Sequence, residues 1–181
     1  MSDAGNQLPA ILSPVLIIFG GLPGTGKTAI ARELAWQLRA VYLRIDSIEQ
    51  EMRNSGFVSE PINDAGYRVA HALAEDNLRL GPIVIADSVN PLQVSRDAWL
   101  SVAHRAQAKA VEVEVICSDA RQHRHRVDSR VSDIRGLNLP SWQEVLDRQY
   151  DLWNRPHIVI DTARRTVSEA VSHVVEVLSG L

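Results

Sequence analysis

The segment Gly21-Leu22-Pro23-Gly24-Thr25-Gly26-Lys27-Thr28 decides the fold, because it has the spacing Gly-x-x-x-x-Gly-Lys-Thr. A short apolar run, residues 15–19, precedes this segment, and an amphipathic stretch, residues 27–38, follows its glycines. Glycines allow backbone N–H groups to surround phosphate oxygens, and the start of a helix adds partial positive charge at the same place. A buried strand, a glycine-rich loop and a helix in this order predict a nucleoside triphosphate site.

Individual positions of this loop have expected roles in holding ATP with Mg²⁺. The backbone from Gly21 to Ala29 is expected to hold the phosphates, and the Lys27 ammonium is expected to bridge the β- and γ-phosphates. Thr28 places a hydroxyl in the first helical turn, where a Mg²⁺ ion shared with the nucleotide needs an oxygen ligand. A glycine-rich turn without a ligand is the alternative, which the flanking strand and helix disfavour. The sequence contains no Asn-Lys-x-Asp segment for reading guanine, so ATP is favoured over GTP.

Apolar runs elsewhere in the sequence predict the other strands of a sheet, at residues 41–45, 83–86, 111–116 and 157–160. Helical patterns predict helices at residues 27–38, 61–80, 95–109, 120–131, 141–153 and 166–178, the last opened by a capping box at Thr166 and Glu169. Strands that alternate with helices imply right-handed parallel crossovers. We therefore expect an α/β protein of three layers, α/β/α, with a doubly wound five-stranded parallel sheet. It should form a single domain over residues 1–181, with a lid at about residues 118–140.

Two carboxylates follow predicted strands, at the sheet edge where doubly wound proteins bind ligands. Asp46 can accept a proton from an acceptor hydroxyl and orient that oxygen towards the γ-phosphate; the alternative is that it caps the next helix. Asp87 either holds Mg²⁺ through water or binds the acceptor, and the alternative is a turn-initiating aspartate. Asn90 and Arg96 are expected to help Asp87 bind an acceptor.

An arginine-rich segment, residues 121–135, follows the fourth predicted strand. Arg126 and Arg130 share one face of the predicted lid helix. Guanidinium groups stabilise the negative charge that spreads over a phosphoryl group during transfer, and a closed lid excludes water from it. We therefore expect Arg126 and Arg130 to act on the phosphates, whereas a solvated helix face is the alternative for the other arginines.

The composition excludes several other classes of function. A formal net charge of −3 argues against a dedicated duplex-binding protein, which needs a broad basic surface. Cys117 is the only cysteine, so an internal disulfide and an all-cysteine zinc site are excluded. His123 and His125 lack the spacing of a zinc site and are expected to be solvated or to face phosphate. The first residues lack a basic leader and residues 15–19 are too short to cross a bilayer, so we expect a cytoplasmic protein; its oligomeric state stays open.

With these motifs, the chain resembles the small P-loop kinases that phosphorylate hydroxyl groups, a group that includes polynucleotide, gluconate and shikimate kinases, chloramphenicol phosphotransferase and zeta-toxin-like kinases. The resemblance implies a P-loop NTPase fold with an arginine-rich lid. It rests on the phosphate loop, on Asp46 as the residue that activates the acceptor, on Asp87-Ser88-Val89-Asn90-Pro91 as the substrate-side segment, and on Arg126-Val127-Asp128-Ser129-Arg130 as the lid. It also implies that Asp161-Thr162-Ala163 passes beside the adenine.

The predicted function is therefore transfer of the γ-phosphate of Mg-ATP to a hydroxyl group. The acceptor candidates are a small metabolite, a sugar nucleotide, an antibiotic and a nucleic-acid 5′-end, and side chains between Ser47 and Tyr67 are expected to select among them. Polynucleotide kinases of this type carry an arginine three residues after the activating aspartate, where this chain has Glu49, so a nucleic-acid acceptor is not favoured. The alternative function is a nucleotide-dependent regulatory ATPase or switch without an acceptor.

Overall fold

The computed structural model describes residues 14–56, 61–81 and 83–180. Its centre is a five-stranded, all-parallel sheet with the strand order β2-β3-β1-β4-β5. The strands are β1 Val15–Gly20, β2 Val41–Arg44, β3 Ile83–Asp87, β4 Lys109–Ile116 and β5 Ile158–Asp161. Helices cover both faces of the sheet, and the expected three-layer, doubly wound architecture is confirmed.

The helices are α1 Lys27–Leu38, α2 Ile45–Asn54, α3 Ala65–Arg79, α4 Gln93–Arg105, α5 Ala120–Ser129, α6 Trp142–Leu146 and α7 Val167–Ser179. Alternate residues of β1 serve the two faces: Ile17 and Phe19 join the core beneath α1 and α7, whereas Leu16 and Ile18 join the core beneath α3 and α4. Burying each of these side chains contributes about 1.5–3 kcal/mol. The central strand is therefore apolar throughout because it has no face towards water.

Four predicted helices are shorter than the sequence pattern suggested, and the largest differences are in α3 and α6. α3 begins at Ala65 rather than at residue 61, because the chain turns at Asn63 with a φ of 53°. α6 ends at Leu146 rather than at residue 153, because the following backbone bonds to another element: the carbonyls of Asp151 and Leu152 accept from the Arg96 guanidinium. The capping box at the start of α7 is present as predicted. None of the helices in the described ranges is long and apolar enough to cross a membrane.

The turn after β2 also differs from the expectation. The strand stops at Arg44 and α2 starts at the next residue, so Asp46 lies in the first turn of this helix. The alternative that Asp46 caps the helix is wrong, because Arg44 occupies the cap position and makes no side-chain capping bond. Asp46 instead lies at the helix N-terminus, where the helix dipole favours a negative charge.

Candidate active site

The phosphate loop is held by hydrogen bonds from three separate elements. The Gly21 N–H donates to the carbonyl of Val89, which follows β3, at 3.0 Å. The Pro23 carbonyl accepts from Nε2 of His123 in α5 at 2.8 Å, and the Thr25 carbonyl accepts from the Thr162 hydroxyl after β5 at 2.7 Å. These bonds satisfy two carbonyls of the loop, and they fix its shape before any ligand binds.

Two glycines of the loop are needed for both backbone angle and space. Gly21 and Gly24 have φ values of 138° and 87°, which side chains of other residues rarely allow. A Cβ atom on Gly21 would lie 2.2 Å from the backbone oxygen of Val115, and one on Gly24 would lie 2.5 Å from Cγ2 of Val127. The loop is therefore packed directly against β4 and the lid helix α5.

Lys27 is the first residue of α1, and its side chain is buried beneath the loop. Burial lowers the pKa of the Lys27 ammonium below its ordinary value, while the nearby carboxylates of Asp87 and Asp46 act in the opposite direction. Arg130 and Arg44 are also close enough to lower this pKa. Lys27 therefore lies at the centre of a group of charges drawn from four elements.

Asp87 ends β3 and is 2% exposed. Its Oδ2 accepts a hydrogen bond from the Tyr42 hydroxyl at 2.6 Å, whereas its buried Oδ1 forms no hydrogen bond within the described structure. A buried carboxylate oxygen without a partner fits a water or a Mg²⁺ ion with its hydration shell, and Thr28 lines the cavity nearby. Within the described residues, no group of three or more His, Cys, Asp or Glu could hold a metal on its own. That result is compatible with Mg²⁺ shared with a nucleotide, which takes only one or two protein ligands.

A cavity of about 420 Å³ lies beside the phosphate loop. Two acidic side chains, Asp46 and Glu49, face it together with five cationic side chains from the described residues: Lys27, Arg44, Arg53, Arg130 and Arg148. We refer to it as the cationic cavity. Its charge suits a polyanion such as a triphosphate.

The two lid arginines lie in different places. Arg130 lines the cationic cavity, and burial lowers the pKa of its guanidinium, against the opposing effect of Asp46. Arg126 instead donates to the hydroxyl of Thr162 at 2.7 Å and to its backbone carbonyl at 3.1 Å, beside Gly26. Arg130 therefore lines the cationic cavity, whereas Arg126 is bonded to Thr162 beside the phosphate loop.

A second cavity, of about 650 Å³, adjoins the first. The two share Asp46, Glu49, Val89 and Arg148. Besides polar and charged side chains, the wall of the second includes two rings, Tyr67 and His71, and six apolar side chains: Ile45, Val89, Pro91, Leu92, Val94 and Ala98. We refer to it as the apolar cavity. Ser47 is absent from its wall, whereas Glu49, Asn63, Asp64 and Tyr67 contribute from the segment that was expected to select the acceptor.

Asn90 and Arg96 lie in the interior rather than in either cavity. Both are 0% exposed. The Asn90 side chain donates to the carbonyl of Phe19 at 2.7 Å and accepts from the Trp99 indole at 3.1 Å. The Arg96 guanidinium lies 4.6 Å from the centre of the Trp153 ring, besides donating to backbone carbonyls. Acceptor binding by these two residues stays a prediction that their positions do not favour.

Several residues of the site were not identified from the sequence. His123 is buried against the phosphate loop and was wrongly expected to be solvated or to face phosphate. Tyr42 holds Asp87, and Asp133 bridges Arg32 and Arg44. The alternation of β2 would have placed Tyr42 on one face of the sheet, but no sequence signal indicates contacts between residues so far apart.

Together, the parallel sheet, the phosphate loop and the helix that follows it define the fold of a P-loop NTPase. Residues 16–152 match a family model described as an AAA domain. Because this match covers most of the chain, the chain belongs to this family, and the resemblance to small P-loop kinases is confirmed. No curated protein sequence matches the chain.

Solved structures share this fold at low sequence identity. The APS kinase CysC of Mycobacterium tuberculosis, in complex with AMPPNP and APS, is 18% identical with a TM-score of 0.70, over 92% of this chain and 98% of that one. Kti12 of Chaetomium thermophilum, in complex with ADP-AlF3, is 19% identical with a TM-score of 0.66, over 90% and 98% of the two chains. A gluconokinase of Sinorhizobium meliloti 1021 is 17% identical with a TM-score of 0.61, over 92% and 95%.

Proposed function

We propose that this chain is an ATP-dependent phosphotransferase that moves the γ-phosphate to a hydroxyl group of an acceptor. The observation that carries the proposal is the position of Asp46, which faces both the cationic cavity and the apolar cavity. A triphosphate in the first cavity and an acceptor in the second would meet at this carboxylate. Holding two reactants in this relation is itself a large part of the catalysis of phosphoryl transfer.

The cationic cavity would bind the triphosphate. Backbone N–H groups from Gly21 to Ala29 contact the phosphate oxygens, and Lys27 bridges the β- and γ-phosphates. The negative charge of the nucleotide opposes the effect of burial on the pKa of Lys27, so binding favours its protonated form. Thr28 and Asp87 would hold a Mg²⁺ ion, which would neutralise charge on the phosphates.

Asp46 would act on the acceptor during the transfer. Its carboxylate accepts a hydrogen bond from the acceptor hydroxyl and orients the oxygen in line with the γ-phosphorus. A bond forms between that oxygen and phosphorus, the bond from phosphorus to the β–γ bridging oxygen breaks, and the hydroxyl proton passes to Asp46. Arg130 stabilises the charge on the equatorial oxygens of the transferring group.

Arg126 would hold the other end of the nucleotide. It is bonded to Thr162, in the segment that the resemblance to P-loop kinases places beside the adenine. A guanidinium there can stack on the base or bond to the ribose. The two lid arginines would therefore have separate tasks, with Arg126 on the nucleoside and Arg130 on the phosphates.

The structural neighbours support this proposal in part. Two of them are named as kinases, an APS kinase and a gluconokinase. Kti12, with bound ADP-AlF3, is a neighbour whose name does not describe a kinase, and it keeps the nucleotide-dependent regulator as the second candidate. The apolar cavity at Asp46 favours the transferase, because a switch needs no cavity for an acceptor beside its phosphates.

Transfer of labelled γ-phosphate tests the proposal. The wild-type chain is incubated with ATP, Mg²⁺ and pools of hydroxyl acceptors: metabolites, antibiotics, sugar nucleotides and 5′-hydroxyl oligonucleotides. We expect transfer to one pool and a loss of about a hundredfold to a thousandfold in Asp46→Asn, which removes the proton acceptor. Binding of a fluorescent ATP analogue should stay close to the wild-type value in this variant.

Asp76→Asn is the matched control, because Asp76 is an exposed carboxylate of α3 that lines neither cavity. It should retain transfer. Comparable activity in Asp46→Asn and the wild type would remove Asp46 from the mechanism. ATP binding without transfer to any pool would favour the regulatory ATPase.

A further inference from the structure

The apolar cavity has a charge distribution that restricts what it can bind. Its described charged side chains are three acids, Asp46, Glu49 and Asp64, and two arginines, Arg68 and Arg148. Both arginines are exposed, so they remain hydrated, whereas Asp46 and Glu49 are partly buried where the two cavities meet. An anionic group next to the transferring phosphate would therefore face two partly buried carboxylates, and the cation that both cavities share there, Arg148, is exposed to water.

The deeper wall of this cavity carries no charge. Ile45, Leu92 and Ala98 are apolar, and Tyr67 is a neutral ring whose pKa burial raises. Burial, reinforced by Arg105, lowers the pKa of His71 below its ordinary value, so this imidazole is neutral at pH 7. An ionised group is strongly disfavoured when it leaves water for such surroundings without a partner.

We infer that the apolar cavity binds an uncharged, largely apolar small molecule whose hydroxyl group reaches Asp46. This inference rests on the proposed function, and it names the class of acceptor. The cavity volume of about 650 Å³ is within the range of small-molecule sites. The apolar body of the acceptor lies against α4 and the rings of α3, and acceptors that carry a carboxylate or a phosphate are disfavoured.

Two matched compounds test the inference by binding alone. p-(Hydroxymethyl)benzamide and p-(hydroxymethyl)benzoate share a ring and a primary hydroxyl but differ in charge. Calorimetric titration in the presence of AMPPNP should show binding of the amide and an affinity about tenfold lower for the benzoate, which corresponds to about 1.4 kcal/mol. Equal or tighter binding of the benzoate, or no binding of the amide, would overturn the inference.

Two substitutions locate the binding. Ala98→Trp fills the apolar cavity from α4 and should abolish binding of the amide, whereas Ala72→Trp, at an exposed position of α3 outside both cavities, should not. Val94→Arg adds a cation at the rim, where Val94 is 69% exposed, and should improve binding of the benzoate. Retained binding of the amide in Ala98→Trp would overturn the inference. Circular dichroism of this variant checks that a loss of binding does not come from unfolding.

The same compounds separate this inference from the proposed function. Binding of the amide, with no transfer of phosphate from ATP to it or to any acceptor pool, would contradict the transferase and support the assignment of the cavity. Efficient transfer to gluconate or another anionic acceptor, with none to uncharged alcohols, would support the transferase and overturn the assignment.

Discussion

The cationic and apolar cavities lie side by side and share one wall, yet they differ in charge. Cations from α1, β2, α2 and the lid outnumber the acids in the wall of the cationic cavity. The wall of the apolar cavity carries rings and aliphatic side chains from α3 and α4, and more acids than cations. Asp46 and Glu49 line both cavities at the boundary between them. A phosphate group is therefore favoured in the first cavity and disfavoured in the second.

The largest effect on the cationic cavity is expected for Lys27→Ala. Transfer should fall by about a thousandfold, because a cation that stabilises the developing phosphate charge is lost. Thermal stability should change little, since removal of an ammonium whose burial is unfavourable offsets the loss of its attraction to Asp87 and Asp46. Initial rates and a thermal melt measure the two effects.

The only other lysine, Lys109, is the matched control because it is exposed at the start of β4. Lys109→Ala should keep its activity. A Lys27→Ala variant within tenfold of the wild-type rate would show that the cationic cavity is not the phosphate site.

The second prediction separates the lid arginines. Arg130→Ala should lower kcat by about a hundredfold, because Arg130 lines the cationic cavity in a partly buried position, where the proposed function places the phosphates. Arg124→Ala, on the exposed face of α5, should change kcat little. Steady-state kinetics with saturating ATP distinguish them, and equal losses in the two variants would argue for a general charge effect of the lid instead.

The third prediction concerns the contact that holds the lid against the phosphate loop. Ala in place of Gly24 would meet Val127, whereas Ala in place of Gly81 has open space around it at a similar φ of 97°. Both variants share the cost of the left-handed backbone, so the extra loss of stability in Gly24→Ala, about 2 kcal/mol, measures overpacking alone. Urea unfolding of the two variants gives this difference, and equal free energies of unfolding would contradict a tight contact between α5 and the loop.

The smallest effect is expected at the edge of the cationic cavity, where Asp133 bonds Arg32 and Arg44. Burial would raise the pKa of Asp133, but its hydrogen bonds with Arg44 and Arg32 lower it overall. A carboxyl with a lowered pKa stabilises the fold above about pH 4, and this contribution disappears as pH falls through the folded pKa.

Asp133→Asn should therefore cost at most about 1 kcal/mol at pH 7, since both the aspartate and Arg32 are half exposed. Asp128→Asn, which breaks an exposed pair with Arg124, should cost less. Urea unfolding at pH 7 and pH 3 measures both variants. A penalty for Asp133→Asn that is as large at pH 3 as at pH 7 would not fit an ion pair.

Local signals in the sequence predicted the fold well. Residues 15–28 alone identify a buried strand, a phosphate loop and a helix, because strand burial, glycine angles and helical periodicity are all set by near neighbours in the chain. The same reasoning failed for residues 147–153. Their pattern is helical, but Arg96 in α4 captures the carbonyls of Asp151 and Leu152. A hydrogen-bond partner from a distant part of the chain cannot be predicted from the local sequence pattern.

The sequence by itself therefore determined the phosphate loop, the alternation of strands and helices, and the position of Asp46 and Asp87 after their strands. Only the tertiary structure decided that Tyr42 holds Asp87, that Arg126 contacts Thr162 while Arg130 faces the cationic cavity, and that Asp46 borders an apolar cavity. The physical reason is that these contacts join residues brought together by the strand order β2-β3-β1-β4-β5. Spacing along the chain predicts which face a side chain occupies, but packing between elements decides what it touches.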